Sequence, residues 1–222
     1  MNYIAVLCSS GLDSAVLLAD AAAAGRAVPI YVSVGFAWEA EERRMLARLL
    51  AAPPFAGRVE PPVFLTFDMR DTFAPTHWAV AGTPPAFDTP DEDVYIDGRN
   101  IILLSKAAVY MARHRIPRVT IGPLAGNPFP DATPAFFESM SRALSLGLAV
   151  PIDIAAPFAT LHKSDVIKKG IALGVPLDLT LSCMQPLNGQ HCGRCSKCRE
   201  RRDAFRDAGI EDPTPYAVAP IR

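Results

Sequence analysis

The sequence predicts an α/β protein in which helices cover both faces of a parallel sheet. Short apolar runs, of which residues 30–34 are typical, alternate with stretches of helical composition. Continuous apolar strands separated by helices indicate βαβ units and a buried parallel sheet. Half of the 222 residues are hydrophobic and 20% are charged, which excludes an intrinsically disordered chain. The 21 prolines indicate many loops and helix ends and argue against a long helical bundle.

Strands and helices alternate along the first two thirds of the chain. The predicted strands are residues 4–7, 30–34, 63–67, 119–122 and 152–154. The predicted helices are residues 14–24, 39–51 and 100–112. The last of these is amphipathic, with Ile101, Leu104, Ala108 and Ala112 on the face expected to be buried.

Two segments depart from this alternation. Residues 69–97 contain four prolines and an acidic run, and we expect a lid-like loop that passes over the sheet edge. From about Pro176 onward, cysteines replace the hydrophobic periodicity. We therefore expect an α/β domain over residues 1–175 and a small metal-binding subdomain over residues 176–222.

Charge and hydropathy restrict the partners and the location. With 22 basic and 23 acidic residues the net charge is −1, which argues against a dedicated nucleic-acid binder. No apolar run approaches the roughly 18 residues of a membrane span, and the first residues do not resemble a secretory signal. We expect a cytoplasmic protein with no membrane partner, in which thiols stay reduced.

Four of the five cysteines lie close together near the C-terminus. The spacing C-x8-C-x2-C-x2-C of Cys183, Cys192, Cys195 and Cys198 supplies enough thiolates for a closed tetrahedral site. We predict one structural zinc ion, with an iron–sulfur cluster as the main alternative. Cys8 is expected to be a core thiol. The basic residues expected to screen the charge of the four thiolates are Arg194, Lys197, Arg199, Arg201 and Arg202.

A loop rich in serine follows the first predicted strand and precedes the first helix. In open α/β sheets such a loop lies where ligands bind, and the N–H groups of the helix start attract anions. The loop lacks the lysine of a Walker-type loop and the glycine spacing of a dinucleotide site. Capping of the helix by Ser9 or Ser10, with Asp13 in the first turn, is the structural alternative.

This loop resembles the pyrophosphate loop, Ser-Gly-Gly-x-Asp-Ser, of the N-type ATP pyrophosphatases. The resemblance implies that ATP phosphates bind here and that a substrate oxygen is adenylated with release of pyrophosphate. Ser10 stands where the family has glycine. We assign Asp13 to organising magnesium or phosphate, because a carboxylate beside a triphosphate needs a bridging cation. The six loop positions are Ser9, Ser10, Gly11, Leu12, Asp13 and Ser14.

Over nearly the whole chain the motifs resemble those of the 7-cyano-7-deazaguanine synthase family. The matching motifs are residues 98–100, the helix start at Lys163, and residues 174–177, 181–183 and 201–216. The resemblance implies a Rossmann-like, adenine nucleotide alpha hydrolase-like fold, ATP, magnesium, a structural zinc and often a homodimer. It also implies a reaction in which a deazaguanine-type acid is adenylated, ammonia displaces AMP to give an amide, and a second ATP drives dehydration to the nitrile.

The resemblance also assigns residues to this chemistry. Asp13, Ser14 and Lys163 are the predicted catalytic residues. Gly98, Arg99, Lys163 and the six loop residues are the predicted nucleotide ligands, because fixed donors stabilise charge that develops on phosphate. The structural alternatives are a salt bridge at the sheet edge for Arg99 and a solvated first-turn position for Lys163.

The chain departs from the family where the acid would bind. The family's Gly-Gln-(Arg/Lys)-His is replaced by Gly-Phe-Ala-Trp at residues 35–38, and its Tyr-Pro-Asp-Cys-Arg by Phe-Pro-Asp-Ala-Thr at residues 129–133. Threonine cannot replace an arginine that binds a carboxylate without loss of a charge-assisted pair. The residues predicted to line a pocket for a flat heterocycle are Phe36, Trp38, Phe129 and Asp131, with core packing as the alternative for the aromatic rings.

The sequence therefore predicts an ATP-dependent ligase that makes 7-cyano-7-deazaguanine from 7-carboxy-7-deazaguanine and ammonia, as in queuosine-type biosynthesis. Three alternatives stay open: an enzyme that joins a related acid to a different amine, a tRNA-modifying ATPase, and a nucleotide-binding module without catalysis. A thiolation enzyme would need a catalytic cysteine outside the metal site, where only Cys8 is present. Release of pyrophosphate separates the module from the enzymes, and the mass of the product separates the enzymes from one another.

Overall fold

The architecture is a single parallel sheet of five strands in a computed structural model that describes residues 3–218. The strand order is β3-β2-β1-β4-β5, and every neighbouring pair is parallel. The strands are β1 (Tyr3–Leu7), β2 (Arg26–Ser33), β3 (Val63–Thr66), β4 (Arg118–Thr120) and β5 (Asp153–Ala155). Because the order reverses between β1 and β4, the carboxyl ends of these strands flank the crevice where open α/β sheets bind ligands.

Helices cover both faces of this sheet, as the sequence predicts. They are α1 (Leu12–Ala24), α2 (Glu39–Ala51), α3 (Trp78–Ala81), α4 (Arg99–His114), α5 (Pro134–Leu148), α6 (Lys163–Ala172) and α7 (Ser196–Ala208). Alternate residues of β1 enter opposite cores: Ala5 lies in the core that includes Leu104 of α4, and Val6 lies in the core that includes Leu17 of α1. The α/β prediction is confirmed. Within residues 3–218, no helix combines the length and the apolar character that crossing a membrane requires.

The buried stripe of α4 differs from the prediction at the first turn. Leu104, Ala107, Ala108 and Met111 are fully buried, whereas Ile101 is 43% exposed. The prediction that Ile101 faces the core is wrong because the first turn of α4 lies at the mouth of a cavity, where the neighbouring Arg99 lines the wall.

Two long helices, α5 and α7, were not predicted. Helix α5 begins with Thr133, whose side chain accepts a hydrogen bond from the backbone N–H of Phe136 at 3.2 Å, and Pro134 follows at the first helical position. Helix α7 begins after Cys195, and its Phe205 is buried in the same core as α1.

The segment 69–97 is folded against the sheet domain. It contains α3 and two short 3-10 turns, and Met69, Ala79, Val94 and Ile96 are buried. Its lid role stays a prediction. The boundary at residue 176 also stays a prediction, since the cysteines near the C-terminus share a core with the sheet, and residues 1–2 and 219–222 lie outside the described residues.

Candidate active site and metal centre

The loop between β1 and α1 presents the start of a helix without a side-chain cap. Gly11 is the N-cap residue of α1, and no side chain accepts a hydrogen bond from the helix start. The hydroxyl of Ser14 donates to the carbonyl oxygen of Gly11 at 2.9 Å and accepts from the N–H of Ser9 at 3.3 Å. Serine capping is therefore not observed, and backbone N–H groups of the first turn remain available for an anion.

The predicted loop residues do not all face the same space. Ser9, Gly11, Asp13 and Ser14 line a cavity at the carboxyl ends of β1 and β2. Ser10 is fully buried, and its backbone adopts the left-handed conformation with a φ of 66°. Its hydroxyl has no hydrogen-bond partner among the described residues. The Leu12 side chain packs in the core below the loop and is 2% exposed.

This cavity, which we call the sheet cavity, has a volume of about 270 Å³. It lies between the ends of β1 and β2, the start of α4 and the segment after β4. Its polar groups come from several elements and line one ligand-sized space. They include Ser9, Asp13, Glu39, Glu42, Arg99 and Asn127.

A second space of about 390 Å³, the outer cavity, continues from the same loop toward the C-terminal cysteines. Asp13, Glu42, Arg99 and Phe129 line both cavities, so the loop lies at their junction. The residues that line only the outer cavity include Trp38, Trp78, Lys163, Met184, Lys197 and Glu200. Two adjoining ligands can therefore meet above the loop.

Ion pairs of alternating sign connect the loop to α7. The Nζ of Lys163 lies 3.2 Å from Asp13 Oδ2 and also pairs with Glu200, whose other oxygen lies 2.7 Å from Lys197 Nζ. Burial raises the pKa of Asp13, and the Lys163 ammonium opposes this rise. Burial also raises the pKa of Glu200, but the two lysines bring it down to about 2. Lys163 is thus a paired, largely buried cation and not a solvated one.

The second oxygen of Asp13 is free to bind a cation. Asp13 Oδ1 is buried and has no hydrogen-bond partner within residues 3–218. A buried carboxylate oxygen is costly without a partner. Oxygen atoms of this kind are the ligands that Mg²⁺ prefers, so the site fits a magnesium ion bound together with phosphates.

Arg99 supplies a cation that lines both cavities. It is the first residue of α4, after Gly98, which has a φ of 70° and lines neither cavity. The Nε of Arg99 is buried without a hydrogen-bond partner, and among residues 3–218 the side chain forms no salt bridge. The structural alternative for Arg99, a salt bridge at the sheet edge, is not observed among the described residues, which leaves the guanidinium for a ligand.

The four clustered cysteines form a compact group of sulfur atoms. All four Sγ atoms lie within 4.8 Å of one another. The Sγ of Cys198 lies 3.5 Å from that of Cys195 and 3.9 Å from that of Cys192. A single tetrahedral zinc ion with Zn–S bonds of about 2.3 Å separates its sulfurs by about 3.8 Å. An iron–sulfur cluster spreads its thiolates over separate irons. The spacing therefore fits one zinc ion held by Cys183, Cys192, Cys195 and Cys198.

Comparison with known proteins identifies the family. The family model described as queuosine biosynthesis protein QueC matches residues 76–209. The chain is 35% identical to the 7-cyano-7-deazaguanine synthase of Methanoculleus marisnigri over 97% of this chain and 99% of that one. It is also 35% identical to the 7-cyano-7-deazaguanine synthase of Thermosynechococcus vestitus, over 97% of this chain and 96% of that one. The chain belongs to the QueC family.

Among solved structures, a predicted subunit of tRNA methyltransferase from Methanocaldococcus jannaschii aligns with a TM-score of 0.49 and 12% identity. The alignment covers 95% of this chain and 90% of that chain. The resemblance inferred from the sequence motifs is confirmed by the family model and the relatives together, which span nearly the full length of the chain.

The residues predicted to recognise the substrate of this QueC-family protein occupy different places. Trp38 lines the outer cavity and stacks on Trp78, with ring centroids 5.6 Å apart. Phe129 lines both cavities and stacks on Tyr95 at 5.1 Å. Phe36 is 4% exposed, packs against Trp38 and lines neither cavity.

Asp131 lies below the cavities and not in their walls. It is 4% exposed, and its carboxylate accepts a hydrogen bond from the backbone N–H of Asn100 at 3.0 Å. The Asn100 side chain donates in turn to the Asp131 carbonyl oxygen at 3.0 Å. Asp131 thus anchors the first turn of α4, which carries Arg99.

Two buried glutamates in the sheet cavity were missed from the sequence. Glu39 accepts hydrogen bonds from the backbone N–H groups of Val34 at 2.7 Å and Gly35 at 3.0 Å. Glu42 accepts one from the Tyr31 hydroxyl at 3.0 Å. Both occur in an acidic first helical turn, where glutamate is ordinarily a solvated partner of the helix dipole, so no signal in the sequence separated them from Glu41.

The raised pKa of Glu42 leads to a testable prediction about stability. Burial raises the pKa of Glu42 from 4.5 to about 7, although Arg99 opposes the rise. Between these values the folded protein holds a proton that the unfolded chain has lost, so stability falls as the pH rises through this window. Glu42→Gln should therefore raise the free energy of unfolding at about pH 8 by up to about 3 kcal/mol, and by little near pH 4.5.

Urea unfolding at several pH values measures this effect. The control is Glu41→Gln, because Glu41 is the less buried neighbour that pairs with Arg44 on the protein surface. The control should keep the pH dependence of the parent protein. An unchanged pH dependence in Glu42→Gln would contradict the assignment.

One basic residue near the cysteines does not have its expected role. Arg201 is 1% exposed and donates hydrogen bonds to Thr180 Oγ1 at 2.8 Å, to the Leu177 carbonyl oxygen at 2.7 Å and to Thr214 Oγ1. It lies 3.9 Å from Asp212. Arg201 therefore joins α7 to two other segments of the chain and does not act as a solvated screen for the thiolates.

Proposed function

We propose that this QueC-family protein is a 7-cyano-7-deazaguanine synthase, an ATP-dependent ligase that converts 7-carboxy-7-deazaguanine and ammonia to the nitrile. The observation that carries the proposal is the convergence of an uncapped helix start, Asp13, Lys163 and Arg99 at the junction of two cavities. Family membership supplies the reaction, and this convergence supplies a place for a triphosphate beside a second substrate.

ATP occupies the sheet cavity in this proposal, with its phosphates over the loop. The N–H groups at the start of α1 and the hydroxyl of Ser9 donate to phosphate oxygens, and the Ser14 hydroxyl does so by turning its one proton away from the Gly11 carbonyl oxygen. Lys163 and Arg99 provide the positive charge. Asp13 would hold a magnesium ion, which neutralises part of the triphosphate charge.

The second substrate occupies the outer cavity, where its flat ring system packs against Trp38. A carboxylate oxygen of the acid attacks the α-phosphorus of ATP, and the bond to pyrophosphate breaks. Ammonia then attacks the acyl carbon, the bond to AMP breaks, and the amide forms after loss of a proton. The amide oxygen then attacks the α-phosphorus of a second ATP, and pyrophosphate and one amide proton leave. Loss of AMP and of the remaining N–H proton gives the nitrile. At both adenylations, Lys163 and Arg99 stabilise negative charge on the leaving phosphates.

The zinc ion has a structural role in this proposal, since the four cysteines fill a tetrahedral site and leave no position for a substrate. The homodimer and the cytoplasmic location expected from the sequence are part of the same proposal. Cys8 disfavours the thiolation alternative. Burial raises the pKa of its thiol to about 11, so it carries little nucleophilic thiolate at neutral pH.

Incubation of the purified protein with ATP, magnesium, ammonium and 7-carboxy-7-deazaguanine tests the proposal. We expect one AMP and one pyrophosphate for each activation step and a product with the mass of the nitrile. Because the chain departs from the family at residues 35–38 and 129–133, a second incubation replaces ammonium by a mixture of primary amines. An acylated amine as the only product would favour the sibling ligase, and no pyrophosphate with any acceptor would contradict the enzyme assignment.

A further inference from the structure

We propose that Glu200 of α7 is a positioning residue that keeps the ammonium of Lys163 available to the phosphates of ATP. This inference rests on the proposed function, since it concerns how the adenylating site is held ready. Glu200 touches neither of the two reacting atoms in the scheme above. It acts through Lys163, with which it forms an ion pair.

The geometry around Lys163 places the ammonium between two carboxylates. Its side chain is 18% exposed, and its Nζ lies 3.2 Å from Asp13 Oδ2 on one side and against Glu200 on the other. Glu200 is itself fixed, because its second oxygen lies 2.7 Å from Lys197 Nζ. All four residues line the outer cavity, so the pairs lie at the surface that the substrates reach.

Removal of the charge of Glu200 changes the balance between these pairs. Lys163 would keep Asp13 as its single carboxylate partner among the residues described above, and the ammonium would move toward it. That movement ties up the carboxylate that the proposal assigns to the magnesium ion. Glu200 thus shares the ammonium of Lys163 with Asp13 and weakens that pairing, which leaves Asp13 Oδ1 for the magnesium ion and part of the ammonium for the triphosphate.

The position of Glu200 depends on the cysteine cluster. Cys195 is the N-cap residue of α7, Cys198 lies in its first turn, and Glu200 follows two residues later. Helix α7 packs against α6, which begins with Lys163. The cluster therefore fixes the helix that carries Glu200, and this connects a structural metal centre to the phosphate-binding loop.

Glu200→Gln, which keeps the size of the side chain and removes its charge, tests the inference in the zinc-loaded protein. We expect kcat/KM for ATP to fall about 10- to 100-fold, the scale of one lost charge-assisted hydrogen bond. The magnesium concentration for half-maximal rate should rise as well, because Lys163 then competes for Asp13. Zinc content and Tm should match those of the parent protein. Glu200→Asp, which restores the charge, should recover part of the rate and of the magnesium dependence.

The matched control is Asp207→Asn, a carboxylate-to-amide change on the same helix. Asp207 is 62% exposed and pairs with Arg206 on the surface, so the control should have the parent's kinetics. If the parent protein releases pyrophosphate and Glu200→Gln keeps the same kcat/KM and magnesium dependence, the inference is wrong and the proposed function stands. Loss of zinc or a large fall in Tm in Glu200→Gln would also overturn it, since the role would then be structural. A parent protein that releases no pyrophosphate contradicts the proposed function itself.

Discussion

Asp13→Ala is expected to abolish ATP-dependent release of pyrophosphate, with a fall of about 1000-fold or more in kcat. The carboxylate lies at the junction of both cavities, pairs with Lys163 and has one buried oxygen without a partner. Lys163 keeps its ion pair with Glu200 when Asp13 is removed and is not left unpaired, so the change should cost the fold little. Initial rates of pyrophosphate release and thermal unfolding, measured on the same preparation, check both parts of the expectation.

The chain contains a matched control for this variant. Asp20 also lies on α1 and pairs with a lysine of α6, since its Oδ1 lies 2.7 Å from Lys169 Nζ. This second pair lines neither cavity. Asp20→Ala should keep the catalytic rate. Full activity in Asp13→Ala, or equal losses in both variants, would remove the loop carboxylate from the mechanism.

Loss of the metal is expected to have the largest effect on stability. Purified protein should contain about one zinc ion per chain. Structural zinc contributes on the order of 10 kcal/mol in small domains, so Cys195→Ser should lower Tm by more than about 10 °C and remove the zinc. The effect is large because the sulfurs connect the segment at Cys183 to the start of α7, and both belong to the core of the sheet domain.

Cys8→Ser is the corresponding control. It makes the same chemical change at the one cysteine outside the cluster, so it should retain about one zinc ion per chain. Metal analysis by mass spectrometry measures both variants and the parent. Stoichiometric iron in the parent, or a Cys195→Ser protein that keeps its zinc, would contradict the assignment.

Much of the sheet could be predicted from the sequence because the central strands β1, β2 and β4 are largely buried on both faces. Uninterrupted apolar runs occur in few other settings, and the five that were predicted correspond to β1 through β5. Helix α2 was predicted from residue 39 to residue 51 and occupies those residues. Its apolar residues recur with a helical period between charged residues, and Pro53 and Pro54 follow its end.

Helices α5 and α7 were missed for different reasons. The start of α5 carried a readable signal, because Thr133 before Pro134 is a favourable N-cap and first-position pair. Helix α7 carried a weaker one. Its buried positions include Cys198 and Arg201, residues that a hydrophobic pattern does not count. A helix that packs through a clustered cysteine and a buried guanidinium does not look amphipathic.

The site was predictable as far as its motifs extended. The loop residues, Lys163 and Arg99 were found from local patterns, and the structure places them around two adjoining cavities. Glu42 and Glu200 could not be found in this way. Each is one acidic residue among several on a charged helix, and only the packing of that helix against the sheet or against α6 distinguishes it.

The hydrogen bonds of Arg201 make residues 212–216 part of the enzyme's scaffold. Thr214 and Asp212 surround one side of the guanidinium, and the Tyr216 hydroxyl donates to Asp212 at 2.7 Å. Proteolytic cleavage before Asp212 would deprive the buried Arg201 guanidinium of Asp212 and Thr214, at a cost of several kcal/mol. Such cleavage is therefore expected to lower turnover, although the cleaved bond lies far along the sequence from the loop at residues 9–14.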